Sequence, residues 1–436
     1  MTRNELFALF YEHARTLPIY DYHNHLAPDW LRNDHVFSDP TDLWLSSDPY
    51  KHRLMRICGL PERVITGNSD PEEKFAAWCK VFPRLIGTPV YEWSLMELSL
   101  LGIDQRPNAS NAKYIWNEMS RHLRFSELFS MFNIAKLSPV EPIYADVGWY
   151  SGNNIISPSM RGDELLVPSE QFLEKLTAIT GIDTKYFDGY ISAVEILLDR
   201  FRDAGCKFAD HALDNAFEFI ENTNAPEFFA PAEKLDMEHQ KMLSSFILKK
   251  LAGLYEKRGF TLLLHIGAIR MTSSRLRNIV GTAGGYAATG KVNPTDIVKL
   301  LDSVERDTAL PKTVIFPLDP SQTEAFTALS GSFARDGVEA LVSEGAAWWW
   351  CDHREGIEHL LDSITSYSVL DTFIGMTTDS RNILSFVRHD YFRKIVCDWF
   401  AKKLDNGEYS ARPSDVIPIL ENICCFNAAK LYEGDL

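Results

Sequence analysis

No run of apolar residues in this sequence approaches the length of a membrane span, so a helical membrane protein is not expected. Cysteine is scarce: seven residues, an odd number, with no CxxC pair among them. That argues against a disulfide framework or a thiolate metal clamp, and favours the reducing cytoplasm. Near the N-terminus Leu6, Phe7, Phe10 and Leu17 fall at helical spacing, but Glu5, Glu12 and His13 interrupt any signal-peptide stretch. Basic residues are the minority, 44 Lys and Arg against 60 Asp and Glu, for a formal net charge of −16. Such a chain repels nucleic acid and anionic lipid at long range, and must capture an anionic substrate with local arginines. No low-complexity linker, internal repeat or like-charge block marks a second independent domain. No GxGxxG opens a βαβ unit. The closest approach to a phosphate loop, residues 285–292, has Val292 where magnesium would need a hydroxyl.

What is present is an ordinary globular composition, 45% hydrophobic and 24% charged over 436 residues, enough to bury a large core. Eight short β-rich runs recur, at 18–23, 132–137, 154–158, 206–210, 261–265, 313–318, 340–343 and 373–377. Each is followed by a longer segment of helical pattern, which argues for βα repetition. Leu262-Leu263-Leu264 and Val314-Ile315-Phe316 are apolar without alternation, as in strands covered on both faces. The expected fold is an α/β (β/α)8 TIM-type barrel, a single domain over 1–436. The first gap is far longer than a βα unit needs. Helical periodicity at 71–82, 91–101 and 112–132 predicts a helical insertion over 27–130, capping the barrel after its first strand. A second insertion is expected over 270–311.

Asp21-Tyr22-His23-Asn24-His25 places two histidines two apart at the C-terminal end of the first strand, on one face, where they could share a metal ion. Barrel enzymes keep their catalytic groups at that end. Thr377-Thr378-Asp379-Ser380-Arg381 follows the eighth run. In a closed barrel that run neighbours the first, so Asp379 would complete a two-nitrogen, one-oxygen ligand set. The competing reading makes Asp379 or Ser380 the N-cap of a helix over 381–393. His265 ends the fifth run and Asp210-His211 the fourth. His265 and His211 are candidates for a further ligand or a substrate contact, against the alternative of structural histidines. Trp348-Trp349-Trp350 cannot all point into one core, so one of them is expected to wall a pocket or join a rim cluster.

The stretch Pro18 to Leu26 (PIYDYHNHL) and Thr378-Asp379-Ser380-Arg381 together resemble the uronate isomerase (glucuronate isomerase) family of the amidohydrolase superfamily. Further matches agree in order: DPYKHRLMR from Asp48, SPSMR from Ser157, GCKFADHALD from Gly205, HIGAIR from His265 and NICCFNA from Asn422. The resemblance spans nearly the whole chain. It implies one divalent metal ion, often zinc, held by His23, His25 and Asp379, and interconversion of an aldose uronate with its ketose. It further implies that Tyr50, Arg161, Arg381 and a tryptophan of the pair Trp348 and Trp349 hold the sugar acid. On this reading Asp379 moves a proton between two carbons, while Tyr50 and His23 handle a hydroxyl proton. Three positions depart from the family pattern: Pro49 where His is usual, the second-strand loop 137–142, and Met271-Thr272-Ser273 in place of an asparagine run. A mononuclear metal-dependent hydrolase on the same barrel is the alternative. The expected partner is a small sugar acid, with no nucleic acid and no membrane; a homo-oligomer is compatible with all of this.

Overall fold

A computed structural model describes residues 1–282 and 284–433. The chain alternates strands and helices around one parallel sheet of seven strands. β1 (Ile19–Asn24), β2 (Ile134–Pro142), β3 (Ser159–Arg161), β4 (Phe208–Leu213) and β5 (Thr261–Ile266) lie side by side in chain order. A small antiparallel pair, β6 (Ala268–Ile269) with β7 (Ala288–Thr289), stands apart. β8 (Thr313–Pro317) and β9 (Val342–Glu344) then complete the sheet. Every residue of β5 and β8 is buried, as the unbroken apolar runs predict.

Helices cover the sheet because their apolar positions repeat at helical spacing. In Pro294–Asp307 the residues Ile297, Leu300, Leu301 and Val304 form the buried stripe, and the Asn293 side chain caps the helix by accepting from Thr295 N–H. Helix Arg3–Ala14 lies along Val387–Asp405, placing Leu6, Phe10 and Ala14 in a core shared with Ile395, Val396 and Phe400. Between β1 and β2, seven α-helices from Pro28 to Ser130 pack around their own apolar cluster, which includes Leu43, Trp44, Phe75, Trp78 and Phe82. The predicted helices at 71–82 and 91–101 are present as Pro71–Val81 and Pro89–Leu100. The one expected over 112–132 is two pieces, Ala112–Met119 and Phe125–Ser130. The expected 270–311 insertion contains two helices and β7; only its residue 283 lies outside the described residues.

Two strands differ from expectation. The third begins at Ser159 and not at residue 154: the Asn153 carboxamide accepts from Ile155 and Ile156 N–H, holding them in a turn, and Pro158 has no N–H to give a ladder. The eighth run, 373–377, joins no ladder among the described residues. Gly375, at φ +82°, and Asp379, at φ +48°, take the chain out of β geometry. Side chains stitch this segment to β1 instead. Asp21, fully buried, accepts from Thr378 N–H (2.9 Å), from the Asn24 amide (2.9 Å) and from His389 Nε2 (2.9 Å). The Thr377 hydroxyl accepts from His23 N–H and donates to His23 C=O. Beyond it, Asp379 N–H donates to His23 C=O and His25 N–H to Ser380 C=O.

A Cβ built on Gly375 would lie 1.9 Å from the Ile423 carbonyl oxygen, at a φ that L residues rarely adopt. Gly375→Ala is therefore expected to destabilise the protein by about 1–3 kcal/mol. Equilibrium urea unfolding measures this, and an unchanged midpoint would mean that the segment moves freely off Ile423.

Candidate active site

At the C-terminal ends of the strands lies a cavity of about 320 Å³. Among the residues lining it are His23, His25, Tyr50, Arg161, His265, Trp348, Trp349, Asp379 and Arg381, so the cavity gathers the residues singled out in the sequence except His211.

His23 and His25 leave β1 on the same side, and the turn at Asp379 brings its carboxylate between them. Asp379 Oδ1 is 3.3 Å from His23 Nε2 and 3.1 Å from His25 Nε2. The N-cap reading of Asp379 is overturned. The next helix starts only at Val387, after a 3-10 turn at Ile383–Phe386 that Asn382 caps. Burial pushes the Asp379 carboxyl up, but hydrogen bonds from His23 and His25 outweigh it and hold the group well below the usual carboxylate range. Burial also lowers His25 to about 4, so its ring is neutral at pH 7, the form in which imidazole ligates a cation. Two neutral-capable nitrogens and one carboxylate, with ligand atoms within 4.8 Å of one another, fit a divalent cation of borderline softness. His23 Nδ1 is buried with no hydrogen-bond partner among the described residues.

A second cluster adjoins the first. Asp210, midway along β4, accepts from His265 Nδ1 at 2.6 Å and binds the Arg161 guanidinium. The His265 ring packs against that of His23, tilted by 36°, with ring centroids 4.5 Å apart. His23, Asp210 and His265 form another potential ligand triplet, with the Arg161 guanidinium already on Asp210. His211 turns the other way. Its Nε2 pairs with the Tyr255 hydroxyl at 2.8 Å beneath helix Met237–Glu256, and Gly162 leaves room for its ring. Adjacent residues on a strand face opposite sides, so at this position Asp210 points into the site and His211 out of it. The expected substrate contact at His211 is thus corrected to a structural histidine. Alternation alone could have made that distinction.

Tyr50 occupies the first turn of helix Pro49–Ile57. The Asp48 carboxylate caps that helix, accepting from Tyr50 and Lys51 N–H. Pro49 suits the first helical position, where no N–H is needed, which accounts locally for that departure from the family pattern. Trp349 at φ +48° makes the three tryptophans diverge: Trp348 meets the edge of His265, and Trp350 meets Tyr50 while donating to the Ala287 carbonyl at 3.1 Å. All three line the cavity. The glycines of the 285–292 stretch serve packing. A Cβ on Gly285 would lie 2.2 Å from the Pro49 carbonyl oxygen, and Gly290 N–H donates to Gly267 C=O.

Four arginines line the cavity: Arg161, Arg270, Arg381 and Arg388. Arg161 is engaged by Asp163 and Asp210, Arg270 by Asp214 and Arg388 by Asp352. Arg381 has no carboxylate partner among the described residues, which leaves its fork free for an anion. Sequence reasoning passed over Trp93, Asp352 and Arg388. They come from remote segments, and the only hint was a charged residue, Arg388, closing the mostly apolar Ile383-Leu384-Ser385-Phe386-Val387 stretch.

The family model described as glucuronate isomerase matches residues 1–432. A uronate isomerase of Geobacillus thermodenitrificans is 34% identical over 98% of this chain and 96% of its own length. One from Caldanaerobacter subterraneus is 33% identical over 100% and 98%. The crystal structure of uronate isomerase from Thermotoga maritima superposes with a TM-score of 0.90 at 24% identity, covering 98% of this chain and 97% of that one. Motifs, architecture and whole-length similarity agree, and the chain belongs to the glucuronate isomerase family.

Proposed function

We propose that this enzyme interconverts D-glucuronate or D-galacturonate with its ketose, D-fructuronate or D-tagaturonate, by moving a proton between C2 and C1. The observation that carries the reading is the pairing, within three residues, of an ionised carboxylate at the cavity wall, Asp379, with an unengaged guanidinium, Arg381. Tyr50 and His23 pass the hydroxyl proton during ring opening. Asp379 then takes the C2 proton of the open chain; the C–H electrons form the enediolate, and the proton returns to C1 while the O2 proton ends on O1. Arg381 binds the uronate carboxylate. Arg161 faces the developing oxyanion, and its carboxylate partners hold the guanidinium in place before the charge develops. His265 and the faces of Trp348 and Trp349 fix the sugar between them.

His23, His25 and Asp379 would hold one divalent cation, in our reading zinc. Bound there, it supplies Lewis-acid polarisation of the sugar oxygens. The seven-stranded sheet, closed by 373–377 as an eighth stave and covered by 27–130 as a cap, is read as a single-domain (β/α)8 barrel. No helix among the described residues is long and apolar enough to cross a membrane. The scarce, free cysteines suit a cytoplasmic enzyme, as a monomer or a homo-oligomer.

Proton NMR of the metal-replete protein in D₂O with each uronate tests the reaction. Keto-sugar formation with exchange of the transferred proton is expected, lost by about 10²–10⁴-fold in Asp379→Asn. Arg381→Met is expected to raise KM for the uronate by about 10-fold or more, the worth of a charge-assisted hydrogen bond. Incorporation of solvent oxygen into a cleaved product, with neither uronate converted, would instead make the protein a hydrolase. For the cation, chelator-treated protein should take up one equivalent of Zn²⁺ in a calorimetric titration. His25→Ala should weaken uptake by at least the roughly 10–100-fold that loss of a supporting residue costs; unchanged affinity would remove His25 from the ligand set.

A further inference from the structure

We infer that Arg388, held by Asp352, is a positioning residue that orients the Tyr50 phenol toward the sugar during ring opening. The inference rests on the role given to Tyr50 above. Arg388 opens helix Val387–Asp405, seven residues beyond Arg381, and is buried at 2% exposure; Asp352 is buried at 1%. Arg388 Nε and Nη2 both donate to Asp352 Oδ2, while Asp352 Oδ1 has no hydrogen-bond partner among the described residues. A buried ion pair with an unsatisfied oxygen is a poor device for stability, since desolvation of both charges offsets their attraction. Its placement suggests another use.

The guanidinium carbon lies 4.5 Å from the Trp93 ring centroid and 5.3 Å from that of Tyr50, within cation–π range of both. Trp93 also meets the Tyr50 ring edge-on at 5.6 Å, and Trp350 does so at 5.5 Å. The Tyr50 ring is therefore gripped by two indoles and a cation, while its hydroxyl, buried in the cavity wall, has no hydrogen-bond partner among the described residues. A phenol fixed everywhere except at its polar end is left for a ligand to complete. Burial pushes the Tyr50 hydroxyl up, and the Arg388 charge is the largest influence in the other direction, favouring the phenol as it gives up its proton. Asp352 fixes the guanidinium by taking its hydrogen bonds, so that Arg381, which has no carboxylate partner among the described residues, and not Arg388, is the fork open to the substrate carboxylate.

A double-mutant cycle on the metal-replete enzyme tests this, with kcat and KM for the uronate measured for Tyr50→Phe, Arg388→Met, the pair together, and Arg388→Lys. Tyr50→Phe is expected to lower kcat/KM by about 10²-fold or more. Arg388→Met should cost about 10-fold or more in the wild-type background, mainly in kcat, and less than about 2-fold once Tyr50 is Phe. Arg388→Lys, which keeps the charge, should recover part of the loss. Equal losses in both backgrounds would overturn the inference while leaving Tyr50 in its role. A fully active Tyr50→Phe would overturn the Tyr50 reading, and the inference with it. If Arg388→Met fails to fold, Asp352→Asn takes its place in the cycle, with the same non-additivity expected and additivity again overturning the inference.

Discussion

A buried carboxylate that bonds to two sequence-remote segments can do what a strand ladder does, and Asp21 does it here. It sits on β1 and reaches the Thr378 amide and the ring of His389, and its neighbour Thr377 grips both backbone polar groups of His23. Backbone pairing of a regular eighth strand would have kept Asp379 in extended geometry. The side-chain clasp lets residue 379 turn to φ +48° and still holds its carboxylate within 3.3 Å of both histidines. Such a clasp is stable only because each of its buried polar groups finds a partner; a half-satisfied network in the same place would be worse than an apolar one. The neighbourhood of the two histidines, the approach of Arg381 and the start of the helix carrying Arg388 all inherit their positions from it.

The parts of this arrangement legible in the sequence are those written locally. His23 and His25 announce themselves because strand geometry puts residues two apart on one face, and Asp379-Ser380-Arg381 because it follows an apolar run. The central strands were readable from runs such as Leu262-Leu263-Leu264, whose burial on both faces the sheet requires. What could not be read depends on departures from regular backbone or on contacts between distant segments. The eighth run looks like a strand in composition, but Gly375 packs against the Ile423 carbonyl and leaves the ladder. The third looks like one from residue 154, but the Asn153 turn delays it. At His211 the sequence alone leaves a ligand, a substrate contact and a structural histidine open, and the alternation of β4 assigns the cavity face to Asp210. Trp93, Asp352 and Arg388 converge from three parts of the chain, and nothing in any one of them points to the other two.

Charge is distributed in the cavity with a selectivity that the overall balance conceals. The chain as a whole is acidic, yet four arginines line one cavity, and three of them already face carboxylates from the protein. Engaged guanidiniums are held in place and contribute direction and hydrogen bonds more than net attraction. The one left unengaged supplies the attraction. An anion drawn into such a cavity has a preferred end, which is how an acidic protein can both admit and orient a negatively charged molecule.

Asp379 and Arg381 share a stretch of chain too short to move in halves, since the clasp on Asp21 fixes one side and the Asn382 cap the other. A cation on the carboxylate and an anion on the guanidinium would therefore bias the same backbone. Binding at the two places is then linked, and linkage is symmetrical: by whatever factor the cation changes the affinity for the acid, the acid changes the affinity for the cation. Retention of the metal in such a protein would depend on how much sugar acid surrounds it.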